Sequence, residues 1–371
     1  MGCGVMDSSA RETAVTQPIP PPRFDLTLSE NPFPPLPSVL AVVNEAIRGA
    51  NRYPEFLPRR LPAVIAAHLG VDPDQVVVGA GATGVVLQIM QAVSGPGRRM
   101  VFATPTFDGY PIMAAMAGLD VVGVPLDASG RQRLTAMARA VDERTALVAI
   151  CRPHNPTGTV APAAELKAFL FGVPRHVPVI LDEAYVEFLA DAETIDPCEL
   201  VAHYPNLLVL RTFSKAYGLA GLRIGYAFGA PELIARVRRL QLPFGMPDYA
   251  VAAVRACYAA SAELAERIAD ITAERELLRT ALRHRGFAVP CSRGNFLYLP
   301  GSAAHATLAG AGIAAKGYPD GSARIAVGDP RADAAVLHAF DGRAEPVPRP
   351  RPAPVHAAGD RCAELPVRAG R

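Results

Sequence analysis

A single lysine stands among hydroxyls and small residues in Arg211-Thr212-Phe213-Ser214-Lys215-Ala216-Tyr217-Gly218-Leu219-Ala220-Gly221-Leu222-Arg223. An amine between hydroxyls, with a guanidinium eight positions on, suits a Schiff-base lysine beside a phosphate anchor. Hydroxyls and the two-pronged fork of arginine can share one dianion. Taken alone, the segment fits a surface lysine with Arg223 in an ion pair equally well. A second segment, Val179-Ile180-Leu181-Asp182-Glu183-Ala184-Tyr185, delivers an acid at the end of an apolar run, with a tyrosine three residues later. A buried Asp182 can hold a heteroaromatic nitrogen protonated, and Tyr185 can hydrogen-bond a phenolate oxygen on the same ring. A magnesium-dependent nucleotide hydrolase would also place an acid there, but it needs G-x-x-x-x-G-K-[ST], which the chain lacks.

Two loops complete the set. Arg152-Pro153-His154-Asn155-Pro156-Thr157-Gly158 holds Asn155 between prolines, which fix the backbone and present its amide. His154 is expected to face solvent and is given no catalytic role. Gly79-Ala80-Gly81-Ala82-Thr83-Gly84 joins an apolar run to a helical pattern. Free amides and the positive dipole end at such a helix start form an anion site. It is read as a site for one phosphate, with a dinucleotide site as the rival.

The elements that must hold these segments alternate. Helical patterns cover 38–47, 60–69, 83–93, 111–117, 134–141 and 163–171, and apolar strand runs fall at 76–78, 99–103, 121–124, 146–150, 179–181, 207–210 and 224–228. Consecutively apolar strands separated by helical crossovers predict a mostly parallel sheet covered on both faces, an α/β three-layer sandwich. Ligands gather at the carboxyl ends of such strands, where all four segments lie. Beyond Pro247, with Asp248 as cap, one long helix is expected to reach about Arg285. It leads to a smaller α+β domain with strands at 296–299 and 323–327.

Together these motifs resemble the class I/II, fold-type-I pyridoxal-phosphate aminotransferases, and most closely the histidinol-phosphate aminotransferase branch. The resemblance runs from about Leu26 to about Val327 and rests on the Arg211–Tyr226 segment, Asp182-x-x-Tyr185 and Asn155-Pro156-x-Gly158 in the family's order. Ser29-Glu30-Asn31-Pro32 and Arg52-Tyr53-Pro54 add to it. It implies pyridoxal 5'-phosphate as cofactor, with Lys215 as its covalent anchor and as the base that moves a proton from Cα to C4′. Asp182 would pair with the pyridine nitrogen, and Asn155 and Tyr185 with the phenolic oxygen. Gly81, Ala82, Thr83, Thr212, Ser214 and Arg223 would form the phosphate site, and Phe107 would stack on the ring. Tyr53 would reach the phosphate of the other subunit, making a homodimer necessary. Asn31, Tyr110, Lys316 and Arg324 would meet the substrate.

The chain departs from that branch in several places, among them Arg152 and His154 where asparagines are usual. Ala82-Thr83 stands where Ser-Asp is usual. Lys316, a point charge, stands where a second arginine is usual. The implied reaction moves an amino group from an amino acid or related amine, histidinol-phosphate-like, aromatic or specialised, to a 2-oxo acid. A decarboxylase or lyase on the same scaffold is the first alternative. A regulatory protein that binds the cofactor without catalysis is the second.

Composition agrees with an enzyme subunit. Across 371 residues, 37 Lys+Arg against 35 Asp+Glu leaves no bulk charge for nucleic acid or an anionic membrane, and neither partner is expected. Proline, at 36, is about twice its average usage. Eight prolines lie between Pro18 and Pro37 and six between Pro346 and Pro366. The expected layout is a flexible arm over 1–25, a smaller domain from 26–50 and 246–341, a large cofactor domain over 51–245, and a disordered tail over 342–371. Six scattered cysteines without C-x-x-C, and no secretory signal at the start, predict reduced thiols and a cytoplasmic location.

Overall fold

The computed structural model describes residues 22–341. Its first third holds β1 (Phe24–Asp25), α1 (Pro37–Ala46), α2 (Arg60–Leu69), β2 (Val76–Ala80), α3 (Gly81–Val93), β3 (Arg99–Thr104), α4 (Gly109–Met116) and β4 (Asp120–Pro125). There follow α5 (Leu134–Arg139), β5 (Thr145–Cys151), α6 (Ala163–Gly172), β6 (Val179–Asp182), α7 (Pro197–His203), β7 (Leu207–Thr212), β8 (Ile224–Gly229) and α8 (Pro231–Arg238). The last part comprises α9 (Tyr249–Ala259), α10 (Ser261–His284), β9 (Phe296–Leu299), α11 (Ala304–Gly310), β10 (Ile313–Ala314), β11 (Lys316–Gly317), β12 (Ala323–Ala326) and α12 (Pro330–Ala339).

Seven strands form one sheet in the order β2-β8-β7-β6-β5-β3-β4. All pairings are parallel except those of β8, which runs antiparallel to both β2 and β7. Successive side chains on a strand point to opposite faces, and this sorts two cores. Val76, Val78, Val148, Ile150, Val179, Leu181, Leu207 and Val209 belong to one buried cluster. Val77, Leu147, Ala149, Ile180 and Leu208 belong to another, with residues of α3, α4 and α8. The sheet is thus covered on both faces, the three-layer arrangement that the unbroken apolar runs demanded. The reversal of β8 matters for the site. It brings the residue before its amino end, Arg223, to the edge where β2, β5, β6 and β7 end.

A three-stranded antiparallel sheet, β11-β12-β9, packs with α10, α11 and α12 around its own core of Leu278, Leu297, Leu299, Ile325 and Val336. This is the smaller α+β unit.

Several expectations change. The single helix over 248–285 is two, because Ala260 leaves helical geometry at φ −94°, ψ 33°. Asp248 does not cap it; its carboxylate accepts from Arg60 Nη2 at 2.6 Å. Residues 24–25, expected to close the flexible arm, pair as β1 with β10. The rest of the arm up to 21 and the tail from 342 lie outside the described residues. Val39 and Val43 of α1, with Ala250, Ala253 and Val254 of α9, pack into a core of the large sheet, although both helices were expected in the smaller domain. Cys151, Cys198 and Cys257 are free thiols. No helix among the described residues is long and apolar enough to cross a membrane.

Candidate active site

A cavity of about 520 Å³ opens where the carboxyl ends of β5, β6 and β7 meet the smaller unit. That is within the roughly 300–1,000 Å³ of small-molecule sites. Of the residues singled out from sequence, Lys215, Asp182, Tyr185, Asn155, Ala82, Thr83, Thr212, Ser214, Arg223, Phe107, Lys316 and Arg324 all line it.

At one end is an anion cradle. The helix α3 starts at Gly81 directly after β2, and its first amides have no partner within the helix. Gly81 takes φ +72°, and a Cβ there would overlap the guanidinium of Arg223. A Cβ at Gly225 would overlap Ala82 N and Gly81 C, so β8 can pass beneath the helix start only as glycine. Arg223 itself adopts a left-handed φ of 53°, uncommon for a non-glycine residue and typical of sites held by their surroundings. The Gly81 amide is engaged with Arg223 O at 3.0 Å, so Gly81 contributes shape and not a free donor. Thr212 Oγ1 donates to Ser214 Oγ at 2.9 Å, and both side chains are buried. The glycines at 79, 81 and 84 do stand at G-x-G-x-x-G, a spacing that alone suits a dinucleotide loop equally. What favours a single phosphate is the company of Arg223, Thr212 and Ser214 around one helix start.

Asp182 ends β6 on the cavity wall, 7% exposed. Burial pushes its carboxyl pKa up, and hydrogen bonds from Tyr110 Oη at 2.6 Å and Ala184 N at 3.0 Å, with the charge of Lys215, pull against that. Lys215 Nζ donates to Ser29 O at 2.8 Å and sits 5.6 Å from the centre of the Tyr185 ring. Tyr185 in turn packs edge-on against Phe296. Asn155 Oδ1 accepts from Arg324 Nη1 at 2.7 Å, and Arg324 Nη2 donates to Thr27 O at 2.6 Å.

Three expected residues lie elsewhere. Tyr110, taken for a substrate ligand, is fully buried behind Asp182 with its hydroxyl on that carboxylate. Asn31, also taken for a substrate ligand, donates to Lys215 O and Ala216 O and so positions the lysine segment. Tyr53 is 83% exposed and packs at a tilt against Phe244, ring centres 4.9 Å apart, outside its own chain's cavity. His154 is fully buried, not solvent-facing; burial pushes its imidazole down to about 3, and Nδ1 lies 2.9 Å from Thr157 Oγ1. Sequence reasoning missed the backbone of Thr27 and Ser29 as partners of Arg324 and Lys215. Carbonyl roles leave no mark in residue type.

A cradle for one phosphate, a buried carboxylate beside a lysine and an amide with a tyrosine along one wall together complement a phosphorylated pyridine aldehyde. The family description "Aminotransferase class I and II" matches residues 21–329. The chain belongs to the class I and II aminotransferases.

This aminotransferase is 41% identical over 319 residues to an "Aromatic amino acid aminotransferase" of Streptomyces coelicolor, covering 84% of this chain and 88% of that protein. It is 42% identical to a protein of the same name from Rhodococcus opacus, over 85% of this chain and 89% of the other. Among solved structures it resembles the histidinol-phosphate aminotransferase of Sinorhizobium meliloti in complex with pyridoxal-5'-phosphate. The TM-score is 0.79 at 29% identity, over 86% of this chain and 90% of that one. The aspartate aminotransferase of Thermus thermophilus with maleate, at 23% identity and TM-score 0.77 over 85% and 90% of the chains, shares the fold. The chain is a fold-type-I transferase that uses pyridoxal phosphate to move an amino group onto a 2-oxo acid.

Tyr110 yields a prediction for this aminotransferase. Its hydroxyl favours ionised Asp182, so Tyr110→Phe raises that carboxyl pKa further. The acid limb of the rate profile moves to higher pH, and turnover near neutrality falls about tenfold, the scale of one hydrogen bond to a charged group. Kinetics from pH 5 to 9 check this; a profile superimposing on the wild type would refute the role.

Proposed function

We propose that this aminotransferase takes aromatic amino acids as donors and works as a cytoplasmic homodimer in amino-acid biosynthesis. What carries the donor assignment is the match of about two-fifths identity, over most of both chains, to proteins named aromatic amino acid aminotransferases. The cavity supports it with apolar Leu28 on its lining.

Within the proposal, Arg223, Thr212, Ser214 and the amides of Ala82 and Thr83 hold the cofactor phosphate. Asp182 holds the ring nitrogen, Asn155 and Tyr185 the phenolic oxygen, and Phe107 covers the ring. Bound there, pyridoxal phosphate supplies the electron sink that makes a donor's Cα proton removable. Lys215 Nζ anchors it and takes and returns that proton. Arg324, with Nε buried and unpartnered, orients the donor's carboxylate.

The dimer rests on an exposed apolar cluster. Tyr53 tilts against Phe244 and Phe56 meets it edge-on, ring centres about 5 Å apart, and Leu242 is 71% exposed. Clusters of this kind mark contact surfaces. In the assembled pair, Tyr53 completes the phosphate site of the other subunit. A larger cofactor unit and a smaller unit, with α1 and α9 packed on the former, form part of the same reading.

A donor panel measured as kcat/KM tests the assignment. Phenylalanine and tyrosine are expected to lead histidinol phosphate and lysine by more than about tenfold, a difference of roughly 1.4 kcal/mol in transition-state binding. A lead by histidinol phosphate would overturn the donor class and leave the reaction type standing.

A further inference from the structure

Lys316 and Asp108, both on the cavity wall, form an ion pair of 2.9 Å between Nζ and Oδ2. Lys316 lies on β11 directly opposite Arg324 on β12, and cross-strand partners project on the same face of a sheet. Two cations therefore stand side by side at the substrate end. Among the described residues the lining holds two other cations, Lys215 and Arg223, and each faces a different partner: Lys215 the carbonyl of Ser29, Arg223 the start of α3. With Arg324 assigned to the donor's carboxylate, Lys316 is the lining cation left for an anionic donor side chain. Asp108 already neutralises it.

We propose that Asp108 sets the charge selectivity of the site, making it disfavour donors that carry a phosphate or a second carboxylate and favour uncharged side chains. The inference rests on the proposed role of Arg324 as carboxylate anchor. An anionic side chain entering beside Lys316 has to displace the Asp108 carboxylate or lie against it, and like charges brought together at a binding surface are strongly penalised. The pair adds little to folding, since Lys316 is one-third and Asp108 one-half exposed. Its effect falls on what binds. Phe107, next to Asp108, places the discriminating charge beside an aromatic wall, an arrangement suited to a flat neutral side chain.

The experiment is a calorimetric titration of the holoenzyme with two unreactive carboxylates, glutarate and 3-phenylpropionate, in wild type, Asp108→Asn and the double variant Asp108→Asn/Lys316→Gln. Wild type is expected to prefer phenylpropionate. Asp108→Asn is expected to improve glutarate relative to phenylpropionate about tenfold, and the double variant to lose that gain. A ratio changed by less than about twofold in Asp108→Asn, or a gain that survives removal of Lys316, overturns the proposal. Asp108→Ser, read the same way, serves if the asparagine variant does not fold. Binding is measured without turnover, so a donor panel that failed would count against the aromatic assignment and not against Asp108. Failure of both ligands to bind wild type would remove the Arg324 anchor and this inference with it.

Discussion

Lys215→Ala is expected to fold, to retain pyridoxal phosphate reversibly through the phosphate cradle, and to lose transamination by roughly 10⁴-fold or more. General acid–base catalysis alone contributes about 10²–10⁴-fold, and loss of the covalent anchor adds to it. The lysine is placed for this role by three contacts, of which the Asn31 bonds to backbone carbonyls survive its removal. Asn31 holds the backbone carbonyls of Lys215 and Ala216, Ser29 O receives Nζ, and Asp182 lies within electrostatic reach. Lys215→Arg is expected to be as inactive, because a guanidinium does not give up its proton in proteins. Small exogenous amines should restore part of the activity of the alanine variant and none of the arginine variant, whose side chain fills the space. Steady-state assays with and without methylamine read this out. Activity near wild type in Lys215→Ala would refute the assignment.

The second large effect is expected at Asp182. Replacement by Asn keeps size and shape but removes the charge that balances a protonated ring nitrogen. The carboxylate is 7% exposed, so water cannot replace it, and electrostatics in such a site act far more strongly than in water. A loss of about 10²–10³ in kcat is expected, the usual scale for one preorganised electrostatic group. Asp182→Glu should recover part of it where Asn does not, which separates a charge effect from a packing effect. Melting temperatures check that both variants fold, and equal rates for Asn and Asp would rule out the role.

Much of the site was legible because its chemistry needs particular side chains at strand ends. Asp182, Lys215 and Asn155 follow apolar runs whose burial was plain, and parallel strands in register carried all three to one edge. Arg223 was legible from its motif, but its route to that edge was not, since nothing in Ile224–Gly229 reveals that the strand runs backwards. Tyr110 and Asn31 show the converse limit. Each is polar, near the motifs and correctly placed along the chain, yet each acts one layer behind the cavity wall. Only three-dimensional distance separates a ligand from the residue that steadies it. His154 misled for a similar reason: a loop between prolines suggested solvent, whereas the loop folds under the site. The break at Ala260 is also invisible in a sequence rich in alanine on both sides, because each half alone has good helix propensity. There α9 and the start of α10 at Leu264 pack on the large core, and the later part of α10, from Leu278, on the smaller unit.

The fold admits decarboxylation or elimination as well as amino-group transfer, and the products released tell them apart. The most direct measurement mixes holoenzyme with phenylalanine and no acceptor, then quantifies what is released. Phenylpyruvate should appear in an amount matching the enzyme and stop there, resuming when a 2-oxo acid is supplied. Continuous release of carbon dioxide and phenethylamine, or consumption of no amino donor at all, would contradict the account.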